Sequence, residues 1–200
     1  TGASFGDGTD EQASSGTFDL AGFNATFGAL GGEGIVDLGA GSLFVGANGN
    51  DTSFAGDIIG SGGLTKPGTG TLARTGVTSY GGATQATGGT LRLADGGAIG
   101  AGTVHNDATL AFDGAIDRSF GNTIQGNGGL TKAGIGLLTL TGTNNLFSGA
   151  TSVQGGTLGF DNSQALGTGS VTLAVGTRLP NVQGASTVAR TRRARRRSIA

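Results

Sequence analysis

Few residues in this sequence could carry chemistry. Gly2-Ala3-Ser4-Phe5-Gly6 has the G-x-S-x-G spacing that exposes a nucleophilic serine at a strand-to-helix turn. With 44 glycines in 200 residues, such a pattern arises by chance on the order of once per chain, and no helix is expected after it. The following Phe5-Gly6-Asp7-Gly8 puts Gly where an esterase block of that type needs Ser. Asp107, Asp113, Asp117 and Arg118 make the densest charged patch, and paired carboxylates can serve as general acid and base. No aromatic platform accompanies them, so they read as surface turns. Gly31-Gly32-Glu33-Gly34-Ile35-Val36-Asp37 approaches a calcium-binding nonapeptide. Its Asp falls one position late, which turns it to the other face of a strand. His105 is the only histidine, so no multi-His metal site can form, and it is expected on an outer face or turn. Lys66 and Lys132 are expected to be solvated turn residues. Asn24-Ala25-Thr26 and Asn50-Asp51-Thr52 have the form of glycosylation triplets and are read as incidental. No catalytic, cofactor-binding or metal-binding residue is assigned, and no cofactor is implied.

The elements that position these residues repeat. Gly60 to Gly76 reads GSGGLTKPGTGTLARTG, and Gly126 to Gly142 reads GNGGLTKAGIGLLTLTG. Gly82 to Leu93 (GATQATGGTLRL) matches Gly149 to Phe160 (GATSVQGGTLGF), now displaced by one inserted residue. The similarity runs on through Ala98 to Val104 and Ala165 to Val171. It also runs back, with Leu43, Val45, Phe54 and Ile58 matching Leu110, Phe112, Phe120 and Ile124. Within each copy, stretches such as Thr90-Leu91-Arg92-Leu93 and Leu138-Thr139-Leu140-Thr141 alternate apolar and polar, the mark of a strand with one buried face. Pairs of glycines bracket them as turns. Short strands, glycine turns and a long internal repeat point to an all-β parallel solenoid. If one 66-residue repeat makes three coils, each coil takes about 22 residues and the body holds roughly eight.

Composition agrees. Glycine is about three times its usual share, with two prolines and no Cys, Met or Trp. Disulfides and thiolate metal sites are therefore impossible. A helical bundle is disfavoured, because each interior glycine costs about 1 kcal/mol. Collagen is excluded, because glycine does not fall at every third position. The lack of Met suggests a piece excised from a longer chain, with any export signal upstream. The formal net charge of −1 divides unevenly. All 13 acids lie between Asp7 and Asp161, while six of the 12 Lys and Arg lie in the last eleven residues. The acidic body has no footprint for nucleic acid.

The strings GSGGLTKPGTGTL, GATQATGGTLRL, GNGGLTKAGIGLLTLTG and GATSVQGGTLGF resemble the passenger-associated β-strand repeat of bacterial autotransporters. Its usual form is close to GSGGLTKTGTGTLTLSG, an aromatic turn and GGTTVNGGTL; Tyr80 and Phe147 stand in for the aromatic. The stretch Gly16 to Val45 is similar to segments that commonly precede that repeat. The resemblance covers about residues 16 to 175. It implies a right-handed parallel β-helix on the surface of a Gram-negative bacterium, exported by a C-terminal outer-membrane β-barrel translocator that lies outside this chain. The repeat is thought to aid passenger folding and secretion, and family members include adhesins. The partners implied are upstream and downstream coils of a parent chain, the barrel, and a host or cell-surface glycan or protein.

These readings divide the chain into an irregular edge at 1–15, a β-helix at 16–180 made of two copies and a preceding partial one, and an Arg-rich disordered tail at 181–200. Expected inward residues are Leu20, Leu43, Val45, Ile58, Leu72, Leu91, Leu93, Leu110, Phe112, Ile124, Leu138, Leu140, Leu158, Phe160, Val171 and Leu173. The expected function is non-enzymatic: a structural passenger segment that aids passenger folding, export and display, as in an adhesin. The alternatives are a β-helix carbohydrate-active enzyme and a glycan-binding module. Carbohydrate cleavage would need carboxylates and aromatics gathered on one face, whereas this sequence has one Tyr and scattered acids.

Overall fold

The computed structural model describes residues 3–4, 10–13, 15–182 and 191–193, with side chains from 15 to 182. Strands of two to five residues wind into parallel sheets, and no helix occurs among the described residues. A seven-stranded sheet runs from Ala3–Ser4 through Leu43–Val45, Leu64–Lys66, Thr84–Ala86 and Val104–Asn106 to Ile124–Gln125. A ten-stranded sheet runs from Asp10–Ala13 through Thr71–Arg74, Thr90–Ala94, Thr109–Asp113, Gly129–Lys132 and Thr151–Val153 to Val171–Leu173 and Thr191–Arg193. The third side is broken into two three-stranded sheets, Thr17–Asp19 with Ile35–Asp37 and Asp57–Ile59, then Arg118–Phe120 with Leu137–Leu140 and Thr157–Phe160. The result is a three-sided β-solenoid of about eight turns. At about 4.8 Å between strands, the rod is on the order of 40 Å long.

The turn is shorter than the repeat suggested. Leu64 is in register with Thr84, and Thr84 with Val104, 20 residues apart each time, and neighbouring turns stay close to that length, so one turn takes about 20 residues. A 66-residue repeat is therefore three turns and about a third, and each copy begins one side further round. Leu64–Lys66 lies in the seven-stranded sheet, but its equivalent Gly129–Lys132 lies in the ten-stranded one. Likewise Thr71–Arg74 lies in the ten-stranded sheet and Leu137–Leu140 on the third side. This phase shift explains where the sheets stop. The irregular aromatic turn of the first copy, around Tyr80, falls on the third side just after Asp57–Ile59. That of the second, around Phe147, falls just after Ile124–Gln125 and ends the seven-stranded sheet. Both turns use equivalent bonds: Ser79 N–H to Ile58 O and Gly81 N–H to Gly60 O, then Leu146 N–H to Ile124 O and Ser148 N–H to Gly126 O.

The core is one continuous apolar column. Of the expected inward residues all are buried except Leu173, which is half-buried against it. Small residues let the coils close. The Tyr80 ring lies where a Cβ on Gly100 would come within 2.3 Å of it, and the Phe147 ring where a Cβ on Gly167 would come within 2.9 Å. Pairing continues past residue 180, with Asn181 bridged to Phe160. The expected disordered tail lies mostly outside the described residues. Thr191–Arg193 are described, as a strand parallel to Val171–Leu173.

Candidate functional site

Strand periodicity sends every second residue inward, whatever its chemistry. Lys66 follows Leu64 by two, and Lys132 follows Leu130 by two. Both are buried rather than solvated, which corrects the expectation from sequence. Their stems lie in the core, and their amines reach the corner, where turn carbonyls replace water. Lys66 Nζ donates to Pro67 O at 2.5 Å, Gly68 O at 3.0 Å and Gly88 O at 3.3 Å. Lys132 Nζ donates to Gly134 O and, at 3.4 Å, to Gly155 O. Burial pulls both amines below their ordinary pKa, with Asp51 opposing at Lys66 and Asp113 and Asp117 opposing at Lys132.

Arg74 is the least expected interior residue. It shares parity with Leu72 and is fully buried. Its guanidinium donates to Phe54 O and Gly56 O, each at 2.9 Å, to Thr78 Oγ1 at 2.9 Å and to Val77 O at 3.3 Å. Its central carbon stands 4.7 Å from the centroid of the Phe54 ring. Nε has no hydrogen-bond partner among the described residues. Desolvation lowers its pKa to about 10, against weaker opposing effects of Tyr80 and Asp57. Next to it, the Tyr80 hydroxyl and Thr84 Oγ1 share a hydrogen bond of 2.6 Å, and burial pushes the phenol above its ordinary pKa.

The carboxylates singled out by sequence are distributed among separate structural tasks. Asp107 Oδ1 accepts the N–H of Asn127 at 2.9 Å, and Asp117 Oδ1 that of Leu137 at 2.7 Å. Asp51 and Asp95 do the same for Thr71 at 2.6 Å and Ile116 at 3.0 Å. The backbone N–H of Ile116, and after it that of Ala115, holds Asp95 below the usual carboxylate range. Each of these carboxylates links one turn to the next, about 20 residues on. That spacing is the signal in the sequence that could have found them. Asp113 pairs instead with Arg92, at 2.6 Å and 2.9 Å. Arg118 donates to Ala94 O and Gly97 O. Asn106 and Asn145, also missed from sequence, are buried and bridge turns through Gly129 O, Ile124 N–H and Ala165 O.

The remaining candidates lie apart from one another. Ser4 lies in a strand in register with Thr26, while 5–9 fall outside the described residues. Asp37 Oδ1 caps its own turn by accepting Gly39 N–H at 2.9 Å. Asn24 Oδ1 accepts Ser42 N–H at 2.8 Å. His105 points outward from the seven-stranded sheet, level with Gln85 and Gln125.

Against known proteins, residues 64–93 and 130–159 each match the passenger-associated-transport-repeat. The chain is 37% identical over 135 residues to the adhesin BmaC autotransporter of Brucella suis biovar 1 (strain 1330). That alignment covers 55% of this chain and only 4% of the relative. No solved structure matches. The 66-residue offset between the two matched segments is the internal repeat of the sequence, and over those segments the chain is similar to the passenger-associated-transport-repeat.

Proposed function

We propose that the chain is a non-enzymatic segment of an autotransporter passenger, displayed on the surface of a Gram-negative bacterium and contributing to passenger folding, export and display within an adhesin. The observation that carries this reading is the pair of repeat matches at 64–93 and 130–159, built into one uninterrupted rod. The adhesin relative supports the same assignment. A solenoid adds coils one at a time, each burying its apolar face on the last. Outside the outer membrane there is no ATP, and such stepwise burial can bias outward movement. The immediate partners are neighbouring coils and an outer-membrane β-barrel supplied by the parent chain. A host or cell-surface ligand is engaged by the assembled passenger. Those carboxylates that bond the next turn's backbone, Asp107 and Asp117 among them, serve the fold, which supports the structural reading over the enzymatic alternative.

The test is display. The chain is placed between a signal sequence and an outer-membrane barrel in a Gram-negative host and compared with a glycine-serine linker of equal length. Expected is higher surface display, read by antibody and by resistance to added protease. Equal display of the linker sinks the folding and export role. Cell adhesion scored on the same strains tests the adhesin assignment separately.

A further inference from the structure

The buried cations do a task that apolar residues cannot. Strands Leu43–Val45, Leu64–Lys66, Thr84–Ala86 and Val104–Asn106 share one pattern, with the first and third residues inward. Apolar burial is non-directional, so a Leu or Val inward residue stacks as well on the second neighbour as on the first. A solenoid of near-identical turns is thus exposed to a specific error, in which one turn is skipped and the next takes its place.

Lys66 and Arg74 do not tolerate that error. Lys66 shares its amine between its own turn and Gly88, one turn later. With Thr84–Ala86 skipped, the connection following Val104–Asn106 contains two residues instead of three, so its carbonyls fall elsewhere. Arg74 draws on the preceding turn through Phe54 O, Gly56 O and the Phe54 ring. With Thr52–Phe54 skipped it would lie over Gly32, which is in register with Phe54 and carries no ring. A buried cation stripped of its acceptors is strongly disfavoured, whereas a well-packed apolar replacement is often neutral. Lys132 repeats the Lys66 arrangement through Gly134 and Gly155.

We propose that Lys66, Arg74 and Lys132 are stacking keys, which add little net stability and instead penalise any arrangement in which a turn pairs with other than its neighbour. The idea stands apart from the adhesin assignment.

The chain has no cysteine, so two can be placed as reporters. Thr65 is in register with Gln85, and Gln85 with His105. Thr65 and His105 are thus two strand spacings apart, about 9.5 Å. That is beyond the roughly 7 Å Cα separation that a disulfide spans. Thr65→Cys with His105→Cys cross-links within one chain only when the middle strand is skipped. The 200-residue chain is unfolded in guanidinium, refolded at low concentration, then oxidised. The cross-linked monomer is counted by mass spectrometry. Adding Lys66→Met is expected to raise it at least about ten-fold, the factor that about 1.4 kcal/mol of lost discrimination corresponds to, with the equilibrium melt little changed, because it is Lys66 that reaches Gly88 O in the turn that is skipped. Lys66→Arg, which keeps a cation, holds cross-linking nearer the original level. Equal cross-linking with and without the Lys66 cation overturns the proposal. So does failure of the Lys66→Met variant to fold, because the cation would then be a support and not a key.

Discussion

The two repeat copies build the same turns with different interiors. In the first, Arg74 stands in register with Phe54; in the second, Leu140 stands in register with Phe120. The first places Tyr80 in the aromatic turn and the second Phe147, both buried. The consequence falls on the next strand. Thr84 Oγ1 is bonded to the Tyr80 hydroxyl at 2.6 Å. Its equivalent, Thr151 Oγ1, is buried with no hydrogen-bond partner among the described residues. The backbone accepts either filling because the turn geometry is set by main-chain bonds between coils. What the side chains change is how well the interior polar groups are matched. The copies also occupy different sides of the rod, so the comparison separates what the repeat dictates from what the side dictates.

The largest effect should come from what the copies share. Gly100 and Gly167 both lie against the aromatic ring of the preceding turn. A methyl group at Gly100 would meet the Tyr80 ring at 2.3 Å and Tyr80 O at 2.5 Å. Gly100→Ala should cost about 3 kcal/mol, at the upper end of core overpacking. Gly167→Ala adds a left-handed backbone, φ +61, to a looser ring contact of 2.9 Å, and should cost a similar amount. Guanidinium melts of the two variants check this. At Gly167 the Phe147 carbonyl is closer still, at 2.3 Å, so a negligible change in either variant would show that ring and carbonyl both yield, and that close approach is not what fixes glycine there.

A smaller effect should come from where the copies differ. Tyr80→Phe removes the hydroxyl and leaves Thr84 Oγ1 in the state of Thr151. The expected loss is about 1–2 kcal/mol, the cost of an orphaned buried hydroxyl. Phe147→Tyr offers Thr151 the missing partner and should gain about 1 kcal/mol. If Phe147→Tyr instead destabilises, the second copy lacks room for the oxygen, and its Phe reflects packing. The single tyrosine also provides an optical check. Burial raises the Tyr80 phenol above the ordinary value of 10.0, so the unfolded chain ionises first. The stabilisation is complete below pH 10 and declines as the pH rises through the folded-state pKa. Phenolate absorbance should therefore appear at higher pH in the folded chain than in guanidinium.

Much of this was legible in the sequence. The period of two predicted the buried row from Leu20 to Val171 because apolar burial follows strand parity. The same parity placed Lys66, Lys132 and Arg74 inside, but a preference for solvating charge overrode it for the lysines. Carbonyls at the corner can replace water, and residue type alone does not show that. The turn length was misread for a different reason. A 66-residue repeat suggests a whole number of turns, yet nothing requires sequence and helical periods to coincide. The spacing of 20 residues from Asp107 to Asn127 and from Asp117 to Leu137 carries the true period. It is visible only once those side chains are known to bond the next turn.

The smallest effect should come from the outer surface, where the copies diverge most freely. Arg92 in the first copy is replaced by Gly159 in the second. Arg92 pairs with Asp113 at 2.6 Å, but both side chains are more than a third exposed, at 43% and 36%. Water and salt screen such a pair, so Arg92→Ala should cost no more than about 0.5 kcal/mol, shrinking further at 1 M salt. Arg92 flanks Ala73 and Ala111, its register partners on either side, both nearly buried on the outer face. Its stem therefore contributes apolar cover that salt does not screen. A loss that persists undiminished in high salt would assign the effect to that cover. A loss that vanishes would assign it to the charge pair, and Gly159 would then show that the second copy forgoes nothing its fold requires.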